Sequence, residues 1–181
     1  MKEKQRIKSY INPSKIDPDK GLVAQDLSAT YSPLPTVTDT PTLRVILGSK
    51  AISTELDSDS DLSLIFHTRE GLTKDVLSSL SKFLGVTLEQ LAILLHSSYR
   101  NLARKDGSDL LDSYKTEKVL EIATFAQRGV EVVGSHAGFK RWLQSPILAL
   151  GGKAPLEFLD TSFGIQLLLK LLGRLEYGVY S

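Results

Sequence analysis

The run "GIQLLLKLLGRLEY", Gly164–Tyr177, constrains this chain more than any other stretch. At roughly 100° per residue its apolar side chains Ile165, Leu167, Leu168, Leu169, Leu171, Leu172 and Leu175 cover an arc of about 200°. A helix lying on one core needs an apolar stripe of only about 100°. Two arrangements accommodate the excess. The helix is buried on one side by its own domain and on the other by something else, or it is a central helix wrapped by its neighbours. Gly173 inside the run costs up to about 1 kcal/mol relative to Ala, which makes sense where another backbone passes close by. Gly178 is read as a left-handed cap, after which Val179, Tyr180 and Ser181 project as a short peptide. That ending is apolar and aromatic where termini are usually polar and frayed. Its burial site is the protein's own core, an identical subunit or a different partner.

The 181 residues suit one domain of ordinary size, or one small domain plus tails. There are no cysteines, which excludes disulfides, thiolate catalysis and Cys-based metal sites. With 22 Lys+Arg against 21 Asp+Glu there is no strong global field, so any DNA contact must come from a local patch. The basic opening "MKEKQRIKSY" is followed by no apolar run, and no stretch approaches the roughly 20 apolar residues of a membrane span. A soluble cytoplasmic protein is expected. His67, His96 and His136 show neither HExxH spacing nor a metal cluster, and His136, between Gly134 and Gly138, reads as a loop residue. "GGKA" lacks the first Gly and the Ser/Thr of a phosphate loop, since Ile147 and Ala154 stand there. No catalytic residue, cofactor or metal is expected. Gly151-Gly152 reads as a tight turn, and Pro155 opens the next short helix.

Residues 1–60 read as a poorly structured arm or linker. Five prolines fall there, "YSPLPTVTDTPT" is turn and extended material, and "STELDSDSDLS" is an acidic linker. Leu43–Gly48 is a short strand or a first helical turn, and Leu43–Leu47 is a candidate for packing in a dimer. From Asp61 the texture is helical, with expected caps at Thr73, Thr87 and Ser98 and expected stops at Gly71, Gly85 and Pro146. "DLSLIFHTREG" reads as a short amphipathic piece. Val119, Ile122, Ala123 and Ala126 define the inner face of a longer helix. The expected fold is all-α, with a helix-turn-helix domain over 61–130 and a small helical domain over 131–181.

Thr87–Leu95 and Ser98–Lys105 have helix-turn-helix length and spacing. In that motif the second helix enters the major groove, which would present Ser98, Tyr99, Arg100, Asn101, Arg104 and Lys105 to DNA. Leu102 would point inward onto Leu91 and Leu95. From Arg69 to Lys105 there are six basic and three acidic residues, enough for a few phosphate contacts per subunit, so useful affinity requires a dimer. His96 stands where many such motifs carry Gly, and Ser97 where an apolar residue usually anchors the turn. The same pattern also suits a plain helical hairpin with a solvated basic face.

"RWLQSPILALGGKAPLEFLDTSFGIQLLLKLLGRLEYGVYS" closely resembles the toxin-binding domain shared by Xre, MbcA and ParS antitoxins. The resemblance is carried by Trp142, Pro146, Leu150, Gly151, Pro155, Gly173, Arg174, Glu176, Gly178 and Val179. "GLTKDVLSSLSKFLGVTLEQLAILLHSSYRNLARKD" resembles the Xre-like helix-turn-helix that precedes that domain. The resemblance implies the antitoxin of a bacterial type II toxin–antitoxin pair. Its partner would be a RES-domain toxin, which depletes NAD⁺. Leu171, Arg174, Leu175, Glu176, Tyr177, Gly178, Val179, Tyr180 and Ser181 would obstruct the toxin's cleft, and the N-terminal half would bind the operon's promoter as autorepressor. It implies a homodimer and a larger hetero-oligomer with toxin. The alternative is a stand-alone transcription regulator whose C-terminal module only dimerises.

Overall fold

A single helix organises the molecule. In the computed structural model, which describes residues 40–48, 61–104 and 106–178, α6 (Ser113–Val133) runs through the centre. Asp112 caps it by accepting from the amide of Lys115 at 2.9 Å, and Gly134 ends it at φ +83°. Val119, Ile122, Ala123 and Ala126 are fully buried along it, as their spacing predicts, together with Phe125. Around α6 pack α1 (Leu43–Leu47), α2 (Asp61–Glu70), α3 (Asp75–Leu84), α7 (His136–Gln144) and α8 (Ser162–Glu176). Two shorter helices, α4 (Leu88–Leu94) and α5 (Tyr99–Ala103), extend from α3. Two 3-10 turns, Leu148–Leu150 and Pro155–Phe158, join α7 to α8. The fold is all-α. Among the described residues there is no strand, only the isolated bridges Thr73–Leu110 and Ile147–Lys153.

All described residues fall in one compact unit, Thr36–Ser181, and their buried side chains form one continuous core. The division expected at residue 130 falls in the last turn of α6, and core residues lie on both sides of it.

Several expected signals act as read. Thr87 and Gln90 form a capping box on α4, Ser98 caps α5, Gly85 closes α3 at φ +72°, and Gly178 follows α8 at φ +66°. Gly151 and Gly152 make a left-handed turn at φ +67° and +79°, and Pro155 opens its 3-10 turn. Others are corrected. Thr73 is not a cap: it sits in the bridge to Leu110, and α3 starts at Asp75 with no side-chain cap. His136 is no loop residue but the first residue of α7, its Nε2 donating to the Phe83 carbonyl at 2.7 Å and its ring stacked on Phe83 at 4.1 Å. Leu43–Leu47 is a helix, and Leu43, Ile46 and Leu47 are buried against α3 and α6 of the same chain, so they are not available to a second one. The rest of the expected arm, residues 1–39 and 49–60, lies outside the described residues.

Among the described residues no single helix is long and apolar enough to cross a membrane. Most of the apolar content of α3 and α4 is core: Val76, Leu77, Leu80, Leu84, Leu91 and Leu94 are buried, while Leu88 and Ile93 of α4 are exposed.

Candidate functional site

Two surfaces gather the residues singled out in the sequence. The first is the α4–α5 pair. α4 ends in a Schellman pattern: Ser97 N–H donates to the Ala92 carbonyl at 2.9 Å and His96 N–H to that of Ile93 at 3.0 Å. This requires a left-handed residue, and His96 supplies it at φ +50°, the only positive-φ residue other than glycine among the described residues. Its ring is anchored elsewhere, Nε2 donating to the Asp160 carbonyl at 2.9 Å. Ser97 needs no apolar contact to hold the turn, because its amide closes it. α5 spans five residues, shorter than the Ser98–Lys105 reading. Leu102 is buried with Leu91 and Leu95, as predicted, while Ser98, Tyr99, Arg100, Asn101 and Arg104 are exposed. The Ser98 hydroxyl is committed to capping, accepting from the Asn101 amide at 3.2 Å. Arg100 and Arg104 make no ion pair among the described residues. Lys105 lies outside them.

The second surface is α8. Thr161 caps it, accepting from the Gly164 amide at 3.1 Å. Ile165, Leu168 and Leu172 are fully buried on α6, and Leu171 and Leu175 are half-buried. Leu167 and Leu169 remain 45% and 39% exposed. Of the two arrangements open for this helix, the described chain provides one covered side and leaves the other bare. Gly173 has no heavy atom within 4 Å of where a Cβ would sit, so no described backbone passes there.

Toward its end α8 is tied down by charge. Glu176 pairs with Arg128 of α6, which also pairs with Glu131 at 2.8 Å. The hydrogen bond from Arg128 to Glu131, with the nearby Glu176 charge, holds the guanidinium above its ordinary value. Arg174, Tyr177 and Gly178 are exposed, Tyr177 by 80%. Val179, Tyr180 and Ser181 lie outside the described residues.

The leucine pattern drew attention to the wheel of α8 but not to its most exposed member. Phe163 is 87% exposed, and with Leu167 and Leu171 it forms a ridge at i, i+4 and i+8 beside Lys170 and Arg174. Leu148, 95% exposed, tops the 3-10 turn before the Gly-Gly corner. The usable signal was a large apolar residue two positions after a capping Thr, outside the 165–175 stripe.

This C-terminal geometry coincides with a known module. Residues 128–178 match the antitoxin Xre/MbcA/ParS C-terminal toxin-binding domain, a stretch that begins in the last turns of α6 and ends at the capping Gly178. A longer similarity is to Antitoxin Xre of Yersinia enterocolitica (serotype O:8 / biotype 1B, strain NCTC 13174 / 8081), 25% identical over 120 residues, which is 65% of this chain and 81% of that protein. Both findings are likenesses to antitoxins of the Xre family.

Proposed function

We propose that this antitoxin neutralises a RES-domain, NAD⁺-depleting toxin in the cytoplasm by placing its C-terminal tail in the toxin's cleft, and that it represses its own promoter through α5. It performs no chemistry itself. Leu171, Arg174, Leu175, Glu176, Tyr177 and Gly178 lead to the tail, and Val179, Tyr180 and Ser181 enter the cleft. The observation that carries this reading is the direction of α8: the toxin-binding match ends where the helix leaves the core, at an 80%-exposed Tyr177 and a left-handed Gly178. A large amphipathic ring held in water suits an anchor for a partner's pocket.

On DNA, Tyr99, Arg100, Asn101, Arg104 and Lys105 would meet the major groove and its phosphates, with Ser98 at the helix start. So few cations per subunit call for a homodimer, and toxin binding extends it to a larger hetero-oligomer.

Removal of Val179–Ser181 tests the plug directly. Truncated antitoxin should keep its helical circular-dichroism signal and fail to block NAD⁺ loss when co-expressed with the toxin. Full protection by the truncated chain would reject tail insertion.

A further inference from the structure

α2 faces the wrong way for a helix that only lines its own core. His67 is its buried residue and Leu64 packs half-buried on the core, whereas Leu62, Ile65 and Phe66 are 65%, 45% and 57% exposed, with Arg69 on the same outer face. Beside this ridge, between α2, α6 and α8, runs a groove of about 610 Å³ walled by Ile65, Leu120, Phe125 and Leu169. Arg69 from α2 and Glu117 from α6 stand in its lining. Neither makes an ion pair among the described residues. A projecting apolar ridge thus adjoins an apolar hollow, and a cation and an anion without an ion pair among the described residues stand at the same groove. A ridge beside a hollow, with a cation and an anion at the same face, is the arrangement that a self-complementary contact requires. A two-fold axis lays the ridge of each protomer in the hollow of its partner and brings opposite charges together twice. A foreign partner would need only one of the two halves.

We propose that this α2–α6–α8 face is the homodimer interface, with Leu62 and Phe66 of one protomer seated in its partner's groove and Arg69 facing the partner's Glu117. The inference rests on the homodimer proposed above and gives it a location. In Leu43–Leu47, the other candidate for dimer packing, Leu43, Ile46 and Leu47 are taken up by the chain's own core and only Val45 of its apolar residues is exposed. α5 takes no part in the face, so it stays free for DNA.

Sedimentation of the full chain at tens of micromolar decides the matter. Wild type should run at twice 19.9 kDa, and Phe66→Glu and Arg69→Glu at the monomer mass with unchanged circular dichroism. Arg69→Glu mixed with Glu117→Arg should recover the dimer, because the mixture restores a cross-pair of opposite sign. A dimeric wild type with a dimeric Phe66→Glu would overturn the location while leaving the homodimer standing. A monomeric wild type would overturn both. If Phe66→Glu stays dimeric but no longer captures the toxin, the face belongs to the toxin and the proposal fails. Should Phe66→Glu lose helicity, the charge-mixing pair carries the test alone.

Discussion

Gly85 and His96 close successive helices with the same pair of reverse hydrogen bonds, yet only one of them is glycine. A side chain in the left-handed region costs roughly 1–2 kcal/mol. The His96 ring offsets it with one hydrogen bond to Asp160, a gain of about 1 kcal/mol that ties the α4–α5 turn to the start of α8. His96→Gly should therefore leave stability within about 1 kcal/mol of wild type, while His96→Ala keeps the strain, loses the bond and costs about 1 kcal/mol; urea titration of both separates the two effects. Glycines inside helices divide the same way. A Cβ on Gly129 would lie 2.2 Å from the Phe139 ring, itself fixed against Phe125 and Trp142, so Gly129→Ala should cost about 1–3 kcal/mol. Gly173→Ala meets nothing and should gain up to about 1 kcal/mol, read as a rise in Tm.

On the proposed reading α8 carries two separable jobs on one helix. Leu168 and Leu172 are fully buried, so Leu168→Asp with Leu172→Asp places unpaired charge in the core and should abolish the cooperative thermal transition. Phe163 and Leu167 lie on the bare side. Phe163→Ser with Leu167→Ser should leave Tm within a few degrees of wild type, yet shorten residence on the toxin: the complex should dissociate faster in surface-binding measurements. For α5 the corresponding change is Arg100→Ala with Arg104→Ala. Promoter affinity should fall, and the slope of log K against log salt should flatten by about 0.9 for each phosphate no longer neutralised. An unchanged slope would remove these residues from the DNA.

At the scale of the molecule, α1 belongs to the domain and not to an arm. Leu43, Ile46 and Leu47 are buried at 2% exposure or less, and each contributes about 1.5–3 kcal/mol of burial. A chain trimmed to begin at residue 61 should be destabilised by several kcal/mol relative to one beginning at 40, visible as a lower urea midpoint. One core shared across residue 130 also explains why the toxin-binding match begins inside α6: that module rests on a helix whose other faces hold α1, α2 and α3.

Local chemistry alone determined the helical class, the caps at Thr87 and Ser98, the left-handed stops at Gly85 and Gly178, and the inner face of α6. Those signals act within four residues or recur at a fixed period, so one dimension is enough to read them. What only the tertiary structure decided is which apolar residues find a neighbour. Leu168 and Leu169 are the same amino acid one position apart, one sealed on α6 and the other bordering a groove. Leu43, Ile46 and Leu47 are absorbed by the core, whereas Leu62, Ile65 and Phe66 are left in water. The physical reason is that burial depends on elements distant in the chain: hydrophobicity says that a side chain needs cover, and packing alone says whether this chain supplies it.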